Sequence, residues 1–332
     1  MQLSSGRWRW IILASDRLIA IGEALIDFIP DRHGCLFREV GAFSPAIGGA
    51  PANVCAAFAR LGGRASLISQ LGDDPFGHKI MYELQQYGVD TSAIRLTKEA
   101  NTALAFVSLA ADGNRTFSFY RKPSADMLLS PQQVDSDIFR DAYALHFCSV
   151  SLGDFPMKQT HRKAIDEVKN QGGIISFDPN LRFQLWDSRE ALRSTVLEFI
   201  PYCHILKISD EELGFITGES NIEAALPKLF TGNVKLVVYT CGGGGAYAFT
   251  RQKKCFASAR KVDVIDTTGA GDGFIGSMLF KLRCMGVTRD TLEKMSTAEL
   301  KKCLDFSNEF CTRSVTKHGA IASYPDMADY KD

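Results

Sequence analysis

The chain has 332 residues, 45% of them hydrophobic and 23% charged, enough to bury a substantial core and unlike a disordered or low-complexity chain. Thirty-eight basic side chains balance thirty-eight acidic ones, so no net field draws the protein to nucleic acid or to an anionic membrane, and small molecules are the expected partners. No apolar run approaches the roughly 20 residues of a membrane span, and nine scattered cysteines without a C-x-x-C pair suit a reducing cytoplasm.

Residues 1–17 have a basic front and a brief apolar stretch, but neither a long apolar segment nor a small-residue cleavage site follows. They read as a flexible extension ahead of one domain spanning 18–330. LIAIGEALIDF, from Leu18 to Phe28, predicts a single buried first strand that delivers Asp27 to the sheet edge where ligands of open α/β sheets collect. After it the pattern alternates. Helices are expected at 52–61, 76–87, 158–171, 189–198, 209–216, 221–229, 271–285 and 297–314. Strands are expected at 65–70, 144–149, 173–178, 204–207, 234–239 and 246–250. This rhythm predicts a mainly parallel central sheet with helices on both faces. Two stretches break it, 35–47 and 101–121, whose period-2 patterns and Asp112-Gly113-Asn114 turn predict a small β-sheet acting as a lid, with plain edge hairpins as the alternative.

The chemistry concentrates in DTTGAGDGFIGS, residues 266–277, which opens an apolar helix. Gly269, Ala270 and Gly271 let the backbone bend tightly and present N–H groups to an anion at a helix N-terminus. Asp272 in the same turn would repel a resting phosphate. Its presence makes sense if a neutral hydroxyl lies between the two and loses its proton to Asp272 as a phosphoryl group arrives. Gly271 to Gly276 also fit G-x-G-x-x-G, but no second strand with a terminal acid follows, which argues against a dinucleotide site. Earlier, AIGGAPANV at 46–54 offers Gly48 and Gly49 for close backbone approach and Asn53 as donor and acceptor for vicinal hydroxyls.

The segments GGAPAN and DTTGAGD resemble the two signature regions of the ribokinase or PfkB family of carbohydrate kinases, in order and in separation. The resemblance runs from about Leu18 to Ser323. FYRKPSADMLLSP at 119–131, SFDPNLRFQLW at 176–186 and KISDEELGFITG at 207–218 are similar to fructokinase segments. It implies a ribokinase-like fold and ATP-dependent phosphorylation of fructose, or of another sugar or riboside such as ribose, 2-keto-3-deoxygluconate or an aminoimidazole riboside. A catalytically silent sugar-binding protein is the reading from another class, and the intact turn and carboxylate oppose it.

The resemblance also implies roles. Asp27, Gly48, Gly49 and Asn53 match sugar-binding positions, and Arg121 and Asp126 match the segment beside the lid. Asp272 matches the base, and the amides of Gly269, Ala270 and Gly271 match the anion hole. Thr240, Gly242 and Gly245 in TCGGGGA, with Lys207, Ser209 and Asn308, fall on the nucleotide side, although four glycines also make an ordinary hairpin turn. Asn180 and Arg182 are placed to reach phosphate. Glu212 matches a magnesium-associated position that acts through water. Asp266, Thr268, Ser314, Lys317, Gly319 and Ser323 match a monovalent-cation loop. ATP, Mg2+ and K+ are thus the implied ligands, and the lid edges leave both a homodimer and a monomer open.

Overall fold

A computed structural model describes residues 16–32, 34–109 and 115–330. In chain order the first half comprises β1 (Arg17–Ile21), β2 (Leu25–Pro30), β3 (Phe43–Gly48), α1 (Ala50–Arg60), β4 (Arg64–Gly72), α2 (Pro75–Gln86), β5 (Val89–Asp90), β6 (Ile94–Thr97), β7 (Ala103–Leu109) and β8 (Arg115–Tyr120). The second half comprises β9 (Ala142–Cys148), α3 (Pro156–Asn170), β10 (Ile174–Asp178), α4 (Arg189–Phe199), β11 (Ile205–Ser209), α5 (Asp210–Thr217), α6 (Ile222–Leu229), β12 (Leu236–Thr240), β13 (Ala246–Phe249), β14 (Lys254–Ala257), α7 (Ala270–Cys284) and α8 (Thr297–Ser314).

Ten strands form the main sheet in the order β14-β13-β12-β11-β10-β9-β1-β4-β5, with β6 also on β4. From β12 to β5 the pairings are parallel, and β13 and β14 close one edge as antiparallel strands. The central strands are mostly apolar because both faces are covered: every residue of AYALHFC in β9 and of IISFD in β10 is buried. Alternate residues of β1 feed two separate cores. Leu18 and Ala20 join the layer under α1, α7 and α8, whereas Ile19 and Ile21 join the layer under α3 and α4. Each fully buried Leu or Ile there contributes about 1.5–3 kcal/mol.

The expected single strand over 18–28 is two strands. Gly22, at φ 145°, lets the chain leave the main sheet after Ile21, and a Cβ there would sit 2.7 Å from Pro51. Asp27 therefore lies in the second sheet, not at the edge of the first. That four-stranded sheet runs β3-β2-β7-β8, with β2 antiparallel to β3, parallel to β7, and β7 antiparallel to β8. It is the small sheet expected from 35–47 and 101–121, with β2 added. The Asp112-Gly113-Asn114 turn and residues 1–15 fall outside the described residues. The expected helices all form, within about two residues of their predicted ends.

One close contact sets the site. Gly276 of α7 lies against α1 so tightly that a Cβ would be 2.8 Å from Ala57 Cβ and 2.9 Å from the Val54 carbonyl oxygen. The small residues Ala52, Ala56 and Ala57 make α1 a smooth partner. This packing brings the first turns of α1 and α7 side by side.

Candidate active site

Asn53 on α1 and Asp272 on α7 meet there. Asn53 Nδ2 donates to Asp272 Oδ2 at 2.8 Å, and Asn180 Nδ2 donates to Asp272 Oδ1 at 3.3 Å. Asn180 follows β10 in left-handed backbone, φ 44°, which asparagine tolerates better than most residues. This residue, expected near phosphate, thus has its amide on the Asp272 carboxylate. Asp272 is 8% exposed. Burial raises its pKa above the ordinary carboxylate value, while the Asn53 hydrogen bond and the charges of Arg182 and Lys207 pull it back. Asn53 Oδ1 is buried and takes no hydrogen bond among the described residues, so it remains a vacant acceptor beside the carboxylate.

The turn before α7 is built by Gly269, left-handed at φ 72°. A Cβ there would come within 2.7 Å of both Ala320 and the Tyr324 hydroxyl, which donates to the Gly269 carbonyl at 2.7 Å. The expected cradle of three amides is narrower at one point, because Ala270 N–H donates to the Thr267 carbonyl at 3.1 Å. The first N–H groups of a helix have no partner within it. Those of Gly269, Gly271 and Asp272 find no acceptor elsewhere among the described residues, so they are the donors left at the positive end of the helix dipole.

Beyond this turn opens a cleft of about 710 Å³, within the range of small-ligand pockets. Its lining includes Lys207, Ser209, Thr240, Gly242, Gly245 and Asn308, the residues expected on the nucleotide side, together with Ala270 and Gly271 of the turn. The four-glycine run has two places in the fold. It closes the β12–β13 hairpin, with Cys241 N–H on the Gly245 carbonyl at 2.9 Å, and it forms one wall of the cleft. Asn308 Nδ2 donates to the Ala257 carbonyl at 2.9 Å and so ties α8 to β14. Arg182 is half-buried, donates to the Leu181 carbonyl at 2.9 Å, and is close enough to lower the Asp272 pKa.

On the lid side, Gly48 is required by Asp27, since a Cβ at Gly48 would sit 2.1 Å from Asp27 Oδ2. Gly49, at φ 102°, passes 2.6 Å from the Glu23 carbonyl by the same measure. Arg121 and Asp126 form a buried ion pair, and Arg121 also donates to the Val150 carbonyl and to Ser151 Oγ, both at 3.2 Å. The pair, expected on the sugar, is buried in this frame, with Arg121 5% and Asp126 1% exposed. Ser151 Oγ donates onward to Glu23 Oε2 at 2.8 Å, and Ala50 N–H donates to Glu23 Oε1 at 3.3 Å. One network thus ties together the β1–β2 link, the start of α1 and the end of β8. Burial raises the Glu23 pKa, opposed chiefly by Arg121.

Glu212 Oε2 accepts from Ser209 N–H as part of the cap of α5, and Oε1 accepts from Leu181 N–H after β10, both at 2.9 Å. No cluster of three or more acidic, His or Cys side chains able to hold a metal occurs among the described residues. The cation-loop residues do come together. Asp266 accepts from Thr268 N–H at 2.8 Å and Gly319 N–H at 2.9 Å, Ser314 Oγ lies 2.6 Å from Ser323 Oγ, and Lys317 N–H bonds the Ser314 carbonyl at 3.0 Å. Two buried acids went unnoticed in the sequence, Glu23 and Asp178. Asp178 ends the apolar strand IISFD and pairs with Lys207 at 2.8 Å. The signal that singled out Asp27, an apolar strand ending in a carboxylate, would have found it.

A carboxylate aligned by two amides, adjoining free helix N–H groups at the mouth of a nucleotide-sized cleft, defines a phosphotransferase that acts on an alcohol. Residues 15–327 match the pfkB family carbohydrate kinases, and the chain belongs to that family. It is 41% identical to a probable fructokinase-4 of Arabidopsis thaliana, covering 94% of each chain. The fold matches the fructokinase of Xylella fastidiosa with bound ATP at a TM-score of 0.87 and 32% identity, over 94% of this chain and 96% of that one. It matches the fructokinase of Vibrio cholerae with fructose, ADP and calcium bound at 0.84 and 34% identity, over 95% and 98%.

Proposed function

We propose that this chain transfers the γ-phosphoryl group of ATP to the primary hydroxyl of fructose, giving fructose 6-phosphate and ADP. The observation that carries this reading is the first turn of α7, where Asp272, held by Asn53 and Asn180, adjoins the peptide N–H groups of Gly269 and Gly271, which have no acceptors among the described residues. The sugar lies between the lid and α1, against Asp27, Gly48, Gly49 and the vacant Oδ1 of Asn53. Arg121, Asp126 and Glu23 fix the lid to the body behind it. ATP occupies the cleft along Thr240, Gly242, Gly245, Ser209 and Asn308, with its phosphates toward Gly271, Lys207 and Arg182.

As the sugar oxygen attacks phosphorus, its proton passes to Asp272, whose basicity burial has raised. The transferring group carries its charge on equatorial oxygens, and the fixed amides and the Lys207 ammonium meet that charge without reorganising. The turn around Gly269 holds both partners on one rigid helix end, so base and anion site keep their spacing. Glu212 fits magnesium only through water, since one oxygen already caps α5 and the other accepts from Leu181 N–H; the ion, when bound with the nucleotide, would neutralise phosphate charge. The loop of Asp266, Thr268, Ser314, Lys317, Gly319 and Ser323 braces the anion turn from behind, and carbonyl and hydroxyl oxygens there suit potassium.

Nine unpaired thiols suit a reducing compartment, and we place the enzyme in the cytoplasm. No helix among the described residues is long and apolar enough to cross a membrane. The outer strands β3 and β8 leave the small sheet with open edges, on which a second copy would pair. Sedimentation velocity reads that directly.

The function is tested by a coupled ADP-release assay over a panel of sugars, with and without potassium. Fructose should be turned over best and yield the 6-phosphate. Negligible fructose turnover beside brisk turnover of ribose, 2-keto-3-deoxygluconate or a riboside would replace the substrate, and no sugar-dependent ADP release would reject the reaction.

A further inference from the structure

The carboxylate of Asp178 has no part in the steps above, yet it lies directly beneath them. The parallel register of β10 and β11 pairs Phe177 with Leu206, so the next residues, Asp178 at the end of β10 and Lys207 within β11, stand side by side on neighbouring strands. Asp178 Oδ2 accepts from Lys207 Nζ at 2.8 Å, while Oδ1 takes no hydrogen bond among the described residues although Asp178 is 1% exposed. The ammonium reaches past it to the anion turn. A Cβ on Gly271 would sit 3.2 Å from Nζ, and Lys207 and Gly271 both line the cleft.

As a device for stability the pair is poor. Desolvating two charges offsets most of their attraction, and an orphaned carboxylate oxygen adds a further penalty, so two apolar side chains would serve better. What the pair supplies is geometry. A lysine ammonium rides on four freely rotating carbons and pairs with whatever carboxylate it can reach. Here Asp272 and Glu212 both attract it. An ammonium drawn onto Asp272 would block the oxygen that must take the sugar proton and would make it a weaker base.

We propose that Asp178 is a positioning residue: it anchors Lys207 from below, keeps the ammonium off Asp272, and presents it at the first turn of α7 to the migrating phosphoryl group. The inference rests on the kinase reading above and adds to it a residue that touches neither substrate.

The test is steady-state kinetics of the full-length chain as wild type, Asp178→Asn, Lys207→Met and the double variant, with thermal unfolding alongside. Misplacing a catalytic group by about an ångström lowers turnover by up to roughly 100-fold, so Asp178→Asn should lower kcat by about 10- to 100-fold. The KM for fructose should move by less than about twofold while kcat falls, a split that a purely structural role would not produce; because a buried pair broken on one side also lowers the unfolding temperature, kcat is read well below that temperature. Because Asp178 acts through Lys207, the double variant should be no slower than Lys207→Met alone. Wild-type kcat in Asp178→Asn, or losses that multiply in the double variant, would overturn the inference while leaving the kinase reading intact. Should Asp178→Asn fail to fold, Asp178→Ser, smaller and equally unable to hold an ammonium, carries the same two outcomes. A wild type that releases no ADP with any sugar would remove both readings.

Discussion

The two ends of the site are built from different materials. Toward the nucleotide, the contacts are peptide groups and glycines: the run Gly242 to Gly245, the turn at Gly269, and the free N–H groups of Gly271 and Asp272. Toward the lid, they are buried side chains bonded to one another, Asp272 with Asn53 and Asn180, and Arg121 with Asp126, Ser151 and, through Ser151, Glu23. Phosphate brings its own charge and needs only rigid donors at the right spacing. A sugar is neutral and directional, so the side chains that meet it must be set in advance by partners behind them. Damage at the two ends should therefore look different, as failed turnover at one and as lost stability or altered pH dependence at the other.

The junction between them should suffer most. Asp272→Asn keeps the shape and loses the base, so kcat should fall by a factor on the order of 10² to 10⁴, while calorimetric titration still shows fructose binding. Unchanged turnover would detach the carboxylate from the chemistry. Next comes the lid frame. Arg121→Met leaves Asp126 and Glu23 buried without their cation, and a buried pair broken on one side costs about 3–5 kcal/mol. A urea midpoint within error of wild type would show the network to be idle. At the cleft end, Gly271→Val pushes branched carbons toward the Lys207 ammonium and should lower kcat/KM for ATP by about 10- to 100-fold with little change in unfolding temperature. A loss of stability in its place would erase the contrast. The smallest effect is expected from Asn53→Ala. That hydrogen bond lowers the Asp272 pKa, so its removal should raise it and move the acid limb of kcat/KM to higher pH; movement to lower pH would reverse the assigned cause.

Much of this was legible in the chain. The GAGD turn announced both an anion site and its adjoining carboxylate, because left-handed glycine and a helix start are local properties. Helix positions followed from apolar periodicity reinforced by caps such as Ser296 and Glu299 of α8. What escaped is non-local. Nothing near Gly22 says that LIAIGEALIDF must change sheets, since Ile21 and Leu25 are equally apolar and only the partner strands differ. Strands β5, β6 and β14 are too short to show a period. That the Asn180 amide meets a carboxylate 92 residues away is set by the fold alone. Ala270 was counted as a donor because a turn bond to Thr267 leaves no trace in residue type. Arg121 and Asp126 carry charges that argue for ligands, and only their burial shows that they answer each other.

The most direct test of the account is the pH profile of kcat/KM for fructose in wild type and in Asp272→Asn. Burial raises the Asp272 pKa, so wild-type activity should decline on the acid side through a midpoint above the ordinary carboxylate value, as the base becomes protonated. In Asp272→Asn the residual activity should show no such limb. An identical acid limb in both proteins would contradict the claim that this carboxylate takes the sugar's proton.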